Sequence, residues 1–296
     1  MNKTDRKVQI TSIGFTQRPL DEFIHILDEE AQKGCDLILL PEACTGEAII
    51  EPLDGDAVKR VSAIASKHGV YIVLSMYRKT ETEARINSSV LIGRKGEVCC
   101  VYDKVYPFWS EFDLNPPCAI GRDAPVFETD FGKVGMAICF DANFPEVFRR
   151  LSLGGAELVL WSSAYSAGRS LQAHAINYNY NIVTSTLVPD CLFYDITGQE
   201  IYYQHTPGMN ISHVTIDLDK CIFHQDFNMG KREKLLKDYE GKIESEWFPR
   251  EGWFTLQSVV SGISAREVAA EYGIEELPLY KKRSVIQIDE KRGFKF

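Results

Sequence analysis

Val134-Gly135-Met136-Ala137-Ile138, followed at once by Cys139-Phe140-Asp141-Ala142-Asn143-Phe144-Pro145-Glu146, reads as a buried strand that runs into a polar, helix-starting turn. Asn143 is the expected N-cap. Pro145 falls in the first helical turn, where a missing N–H leaves no bond unmade, and Glu146 takes the N3 place of a capping box. The helix continues through Val147, Phe148, Arg149, Arg150 and Leu151 until Gly154-Gly155 stops it. Cys139 is thereby set on a strand-to-helix elbow, held from below and open above, beside backbone N–H groups that the helix does not use and that can face an anion. A cysteine in an apolar strand is more often a small core residue than a nucleophile, so other parts of the chain must decide between the two.

Outward from the elbow, strands and helices alternate in both directions. Upstream, residues 8–15 predict a strand, 20–33 an amphipathic helix ending at Gly34, 36–40 a buried strand, about 55–68 a second helix and 70–77 a strand. Residues 87–93 and 97–102, separated by Arg94-Lys95-Gly96, predict a hairpin. Downstream, a strand at 157–162, a helix across 170–180 and a strand at 182–187 repeat the pattern. Residues 191–194 and 200–203 pair as a second hairpin around Ile196-Thr197-Gly198-Gln199, and 212–218 closes the set. Mixed strand pairs with crossover helices imply sheets covered by helices, and two similar halves imply two such layers face to face. The expected fold is α/β, a four-layer α-β-β-α sandwich.

Beyond about residue 220 the character changes, so residues 1–220 are expected to form the catalytic domain and 221–296 a C-terminal extension. There 231–238 predicts a charged helix, Trp247-Phe248-Pro249-Arg250 an irregular aromatic stretch, and Ser264-Ala265-Arg266-Glu267 a capping box opening a short helix to Tyr272 before Gly273. Residues 281–288 predict a final strand. Trp253, Phe254, Leu256 and Leu279 need a surface to cover them, so the extension is read as an arm packing on the domain or on a partner subunit.

Composition narrows the function. With 296 residues, 45% hydrophobic and 25% charged, the chain can bury a sizeable core. Its apolar runs, such as 37–40 and 134–138, are far shorter than a membrane helix, and the polar start, Met1 to Lys7, has no apolar stretch for secretion. Eight cysteines, two of them adjacent at Cys99 and Cys100, show no CxxC or Cys/His ligand spacing, which favours free thiols in a reducing cytoplasm. A net charge of -9 argues against a nucleic-acid partner. A small-molecule ligand is expected, with no membrane partner.

Two further strand ends bear on Cys139. The apolar run 37–40 leads straight into Pro41-Glu42-Ala43, and Tyr102-Asp103-Lys104-Val105-Tyr106-Pro107 likewise delivers an ammonium before a chain-breaking proline. Each alone reads as a solvated loop residue. Together with Cys139 they place a base, a cation and a nucleophile at strand ends of one sheet system, where ligands of α/β folds usually sit.

At these residues the chain resembles the carbon-nitrogen hydrolase, or nitrilase, superfamily. The matching stretches are Leu39-Leu40-Pro41-Glu42, Tyr102-Asp103-Lys104-Val105 and residues 135–146, in the order Glu, Lys, Cys, and the resemblance runs over roughly residues 8–217. It implies the same α-β-β-α sandwich and assembly as a homodimer or larger homo-oligomer. It also implies a mechanism in which Glu42 is the general base for Cys139, because thiolate rather than thiol is the nucleophile. Lys104 and the backbone N–H of Phe140 then face the oxyanion, donors worth about 3 kcal/mol apiece in other hydrolases. Ammonia or an amine leaves, water resolves the thioester, and neither metal nor cofactor is required. The resemblance assigns a second active-site glutamate to Glu111, orienting substrate and lysine. Phe140, Tyr106, Trp109 and Tyr165 are the expected substrate-binding residues, although the aromatic run from Tyr106 through Phe108 and Trp109 to Phe112 could equally anchor its loop.

The Cys-Phe-Asp sequence with Phe144-Pro145-Glu146 resembles the amidase and carbamoylase branch, so a linear amide or N-carbamoyl group is the expected substrate, with nitrile hydrolysis or acyl transfer as the alternative. Two departures bear on substrate: Ala175-Ile176-Asn177-Tyr178 stands where many relatives read Ala-Ile-Glu-Asn, and a glycine and serine are missing around Pro189-Asp190-Cys191. Rival classes are a metal-dependent phosphoesterase drafting Glu42, Asp141, Asn143 and His213, a cysteine–histidine hydrolase using His174, and a non-catalytic binding module. The first leaves Cys139 and Lys104 unexplained, and for the second His174 and the other five histidines sit in no recognisable motif.

Overall fold

A computed structural model describes residues 6–295, so the first five residues of the polar start lie outside the described residues. In chain order the elements are Lys7–Phe15 (β1), Leu20–Gln32 (α1), Leu37–Leu39 (β2), Ile50–Glu51 (β3), Asp56–His68 (α2), Tyr71–Lys79 (β4), Arg85–Ile92 (β5) and Val98–Asp103 (β6). Next come Val126–Glu128 (β7), Lys133–Ile138 (β8), Pro145–Leu153 (α3), Leu158–Ser163 (β9), Gly168–Tyr178 (α4), Asn181–Thr186 (β10), Asp190–Tyr194 (β11), Glu200–His205 (β12) and Met209–Asp217 (β13). The chain divides into two compact units, one spanning Val8–Ile216 and one holding Arg6, Lys7 and the residues from Asp217 onward.

Two sheets form the larger unit, in the orders β13-β1-β2-β4-β5-β6, with β3 beside β4, and β12-β11-β10-β9-β8-β7. On α2 the apolar positions Ala57, Val58, Val61, Ile64 and Ala65 recur at helical spacing, and Gly69 closes the helix in the left-handed conformation that a side chain would strain. With Phe23, Leu27 and Ala31 of α1 they bury Ile38, Leu40, Ile72, Leu74 and Met76 of the first sheet. Helices α3 and α4 lie against β8, β10 and β11 of the second. Strands β9 and β10 are buried along their whole length, as expected where both faces are covered.

Between the sheets the contacts are small and polar. Ser12 Oγ donates to Thr184 O (2.7 Å), Ser185 Oγ to Ile13 O (3.0 Å) and Ser162 Oγ to Leu40 O (2.8 Å), so buried hydroxyls are satisfied by backbone of the opposite layer. A Cβ on Gly14 would stand 2.9 Å from Thr186 O, so only glycine allows this approach. The predicted α-β-β-α sandwich is the observed one.

The smaller unit contains Cys221–His224 (β14), Met229–Asp238 (α5), Ile243–Glu244 (β15), Trp247–Phe248 (β16), Trp253–Ser258 (β17), Ala265–Glu271 (α6) and Leu277–Arg292 (α7). Strand β17 pairs with β14, β15 and β16, so the aromatic 247–248 pair is a strand rather than irregular chain. Its core gathers Cys221, Phe223, Leu235, Ile243, Phe254, Leu256, Val268 and Ile274. Ser264 caps α6 by accepting from Glu267 N, as the capping box predicts.

Three local readings are corrected. Residues 281–288 lie in α7, which has a proline in its first turn and ends at Gly293 with φ +81°. Val285, Ile286 and Ile288 are exposed there, so no burial rewards the β-branched side chains for forming a strand. Leu279 is also exposed rather than covered. At the elbow, the N-cap of α3 is Phe144 and not Asn143, because Pro145 holds the residue before it extended (φ -125°, ψ 110°), and no side chain caps the helix. Among the described residues no helix is long and apolar enough to cross a membrane.

Candidate active site

Strands β2 and β4 are parallel, β4 and β5 antiparallel, and β5 and β6 antiparallel, so β6 runs with β2. Glu42, just past β2, and Lys104, just past β6, therefore leave the first sheet at the same edge. Strands β8 and β9 are parallel in the second sheet, so Cys139 and Ala164 leave it together. All three motif residues are buried, with Glu42 6%, Lys104 1% and Cys139 8% exposed, as is Glu111 at 6%.

Lys104 Nζ donates to Glu42 Oε1 at 2.7 Å and to Glu111 Oε2 at 2.6 Å. Burial works against the ammonium, but the charges of Glu42, Cys139 and Glu111 outweigh it and hold Lys104 above its usual value. Glu111 is further fixed by Phe108 N (2.8 Å) and by the Tyr77 hydroxyl (3.4 Å). Asn87, unremarked in the sequence, bridges the two carboxylates: its Nδ2 donates to Glu42 Oε1 at 2.9 Å and to Glu111 Oε1 at 2.8 Å. Set among Arg85, Ser88 and Ser89 of the same strand, it carried no signal in the sequence that marks it out.

Cys139 has φ +46°, a left-handed conformation that costs a non-glycine residue about 1 kcal/mol. It opens a 3-10 turn, Cys139–Asn143, whose first N–H groups, Phe140's among them, have no partner within the turn. Asp141 holds the turn in place. Its carboxylate accepts from Tyr102 OH (2.6 Å), Ile138 N (2.9 Å) and Tyr106 N (2.9 Å). His174 supports it from below, donating through Nε2 to Ala142 O (2.9 Å) with its ring stacked on Phe148 at 3.8 Å. Burial pushes the Cys139 thiol up to about 12, and the Glu42 carboxylate adds to this by charge and hydrogen bond, while Lys104 and the Ala164 N–H pull the other way. The upward direction makes the resting sulfur a thiol beside the Glu42 side chain.

Of the expected substrate-binding residues, Phe140 is half-buried and edge-on to Phe108 and Phe144, each at 5.3 Å. Tyr106 stacks on Phe144 at 3.8 Å, which makes it part of the wall behind the turn. Tyr165 accepts from Asn143 Nδ2 at 3.2 Å and senses the charges of Cys139, Glu42 and Lys104. Trp109 is 66% exposed and packs on Phe108 at 5.5 Å. The set drafted for a phosphoesterase is not gathered: His213 instead meets Thr11 (3.2 Å) and Glu30 (3.5 Å), and among the described residues no group of three or more His, Cys, Asp or Glu could hold a metal ion. His174 is committed to Ala142 O, and burial holds its pKa down.

A family model described as carbon-nitrogen hydrolase matches residues 16–182, more than half of the chain. The chain belongs to the carbon-nitrogen hydrolase family. Glu42, Lys104, Glu111 and Cys139 all fall within the part matched to this hydrolase family. Among curated relatives, a probable nitrilase of Schizosaccharomyces pombe is 31% identical over 53% of this chain and 62% of its own length. A deaminated glutathione amidase of Rattus norvegicus is 29% identical over 54% and 55%. The match thus spans under two thirds of either relative. A carbon-nitrogen hydrolase structure from Helicobacter pylori superposes with a TM-score of 0.65 at 18% identity, over 73% of this chain and 91% of that one. An amidase variant from Nesterenkonia sp. AN1, carrying the acetamide moiety of fluoroacetamide on its active-site cysteine, superposes with a TM-score of 0.64 at 22% identity, over 80% and 97%. These likenesses establish the fold of this carbon-nitrogen hydrolase.

Proposed function

We propose that this chain hydrolyses a linear amide or N-carbamoyl group through a thioester on Cys139. The observation that carries the reading is Lys104 Nζ fixed between Glu42 and Glu111 beside a cysteine in a left-handed elbow. As the sulfur attacks the carbonyl carbon, Glu42 takes the thiol proton and the carbonyl electron pair moves onto oxygen, which Lys104 and the Phe140 N–H face. Collapse of that intermediate expels ammonia or an amine, protonated by Glu42. Water then gives a proton to Glu42 and adds to the thioester, and the acid leaves as Cys139 recovers its proton. The names of the amidase relatives support an amide, and the nitrilase names among the relatives keep nitrile hydrolysis as the alternative. Cytoplasmic location and a homo-oligomeric state belong to the same proposal.

A panel of primary amides, N-carbamoyl amino acids and nitriles, followed by ammonia release and by the mass of the acyl-enzyme at Cys139, tests this reading. Turnover of an amide or carbamoyl compound with an adduct on Cys139 is expected. No adduct and no turnover on any of them, or identical behaviour of Cys139→Ala, overturns it.

A further inference from the structure

Two carboxylates share one ammonium in this site, and the cluster of Glu42, Glu111 and Lys104 carries one excess negative charge when all three are ionised. Lys104 approaches one oxygen of each acid. That leaves Glu42 and Glu111 to repel one another in surroundings that screen charge poorly. Asn87 stands between them on β5, itself 1% exposed. Its Nδ2 has two hydrogens, and one bond to each carboxylate uses both. The orientation of the amide follows from chemistry, since a flipped group would set the carbonyl lone pairs against both acids. Asn87 Oδ1 is left buried without a hydrogen-bond partner. An unmade acceptor is tolerated here so that both donor bonds are made. The same residue also holds the backbone of the cation, because Asn87 O accepts from Lys104 N at 2.9 Å.

We infer that Asn87 is a positioning residue that fixes Glu42 against Glu111 and supplies a donor bond to Glu42 as the base for Cys139. A second lysine in its place would neutralise the pair and weaken the base. A neutral double donor draws the acids together and leaves the negative charge in place. Among the described residues, the other titratable groups facing the pair include Lys104, Tyr77, Cys118, Cys139 and Tyr165. The inference rests on the proposed role of Glu42.

The test follows 4-nitrophenyl acetate, whose burst of nitrophenolate reports acylation of Cys139, as a function of pH in wild type, Asn87→Leu, Asn87→Asp, Glu42→Gln and Cys139→Ala. Asn87→Leu is expected to slow acylation by about 100-fold, within the range general-base catalysis supplies. Losing a donor that favours the ionised acid also moves the acid limb of the rate to higher pH. Asn87→Asp, of the same shape but with a carboxylate in place of the donor, is expected to move the limb further still. A purely structural role predicts no such order, and if Asn87→Leu does not fold, the isosteric Asn87→Asp decides alone. Folded Asn87 variants with the wild-type rate and limb, while Glu42→Gln has lost the burst, overturn this inference and leave the hydrolase reading intact. No acylation of Cys139 by 4-nitrophenyl acetate or by any amide or carbamoyl compound, or a burst that is unchanged in Cys139→Ala, overturns the hydrolase reading itself.

Discussion

The Tyr102 hydroxyl donates to Asp141 Oδ2 at 2.6 Å, and this one bond ties the strand that delivers Lys104 to the turn that carries Cys139. Tyr102 is fully buried at the end of β6 and Asp141 is 0% exposed. Tyr102→Phe removes the hydroxyl and leaves the carboxylate with two backbone donors. A hydrogen bond to a charged group contributes ~2 kcal/mol, so a loss of that size in urea-unfolding free energy is expected. Acylation should slow as well, because the strained φ at Cys139 loses one of its supports. Wild-type stability in Tyr102→Phe would show that the turn is held without it.

Asp141 also makes stability depend on pH. Burial pushes its carboxyl up to about 6, despite the opposing hydrogen bonds from Tyr102, Ile138 and Tyr106. A raised acid takes up its proton in the folded state at a pH where the unfolded chain has not. Its stabilising contribution is therefore fully present below about pH 4 and is lost as pH rises through about 6. Asp141→Asn cannot titrate. The stability of wild type relative to Asp141→Asn should rise by ~3 kcal/mol as pH falls from 7 to below 4. A difference that stays flat from pH 7 to 4 would rule out a raised Asp141.

Cys139 should behave as a thiol in the resting protein. With its titration pushed up to about 12, chiefly by burial and then by Glu42, iodoacetamide labelling is expected to climb steadily between pH 7 and pH 10 with no plateau. Peptide mass spectrometry at Cys139 reads this directly. A plateau already reached near neutrality would mean a stored thiolate and would remove the need for a base at the moment of attack.

Much of this was legible in the chain because the decisive patterns are local. Val134 to Ile138 is apolar and ends at a turn with a proline, which is enough to place Cys139, and the strand ends carrying Glu42 and Lys104 read the same way. What escaped depends on partners distant in sequence. Asn87 matters because two acids 45 residues before it and 24 after it converge on its amide. Asp141 appeared as a marker of subclass, yet its work is to collect donors from Tyr102, Ile138 and Tyr106. The final strand expected at 281–288 failed for the opposite reason. Local β-branched residues spoke for a strand, but Val285, Ile286 and Ile288 stay exposed, so burial does not favour one, and a helix results.

Lys104 should be worth more to the fold than a surface lysine. Replacing it by methionine leaves Glu42 and Glu111 buried against each other, and an uncompensated buried charge costs about 3–5 kcal/mol. Adding Glu111→Gln to Lys104→Met removes one of the two repelling acids and should recover part of that loss. A double-mutant cycle by urea unfolding measures the coupling. Additive losses would mean that Lys104 and Glu111 are not coupled.

Gly121 gives the sharpest steric test of how Lys104 is placed. Its N–H donates to Lys104 O at 2.9 Å, and a Cβ on it would stand 2.0 Å from Asp103 O and 2.9 Å from Lys104 O. Both obstacles are backbone, so no side-chain rotation relieves them. Gly121→Ala must push the chain on either side of the contact apart, stretching the bond to Lys104 O and moving the ammonium relative to Glu42 and Glu111. Overpacking of this kind costs ~1–3 kcal/mol in stability. The larger effect is expected on acylation, since a displacement near 1 Å in a catalytic group can cost about 100-fold in rate. Gly14→Ala supplies the control: it meets Thr186 O at 2.9 Å between the sheets and should lower stability with a smaller effect on the acylation rate per unit of stability lost. Equal ratios of rate loss to stability loss in the two variants would show that Gly121 serves only the fold.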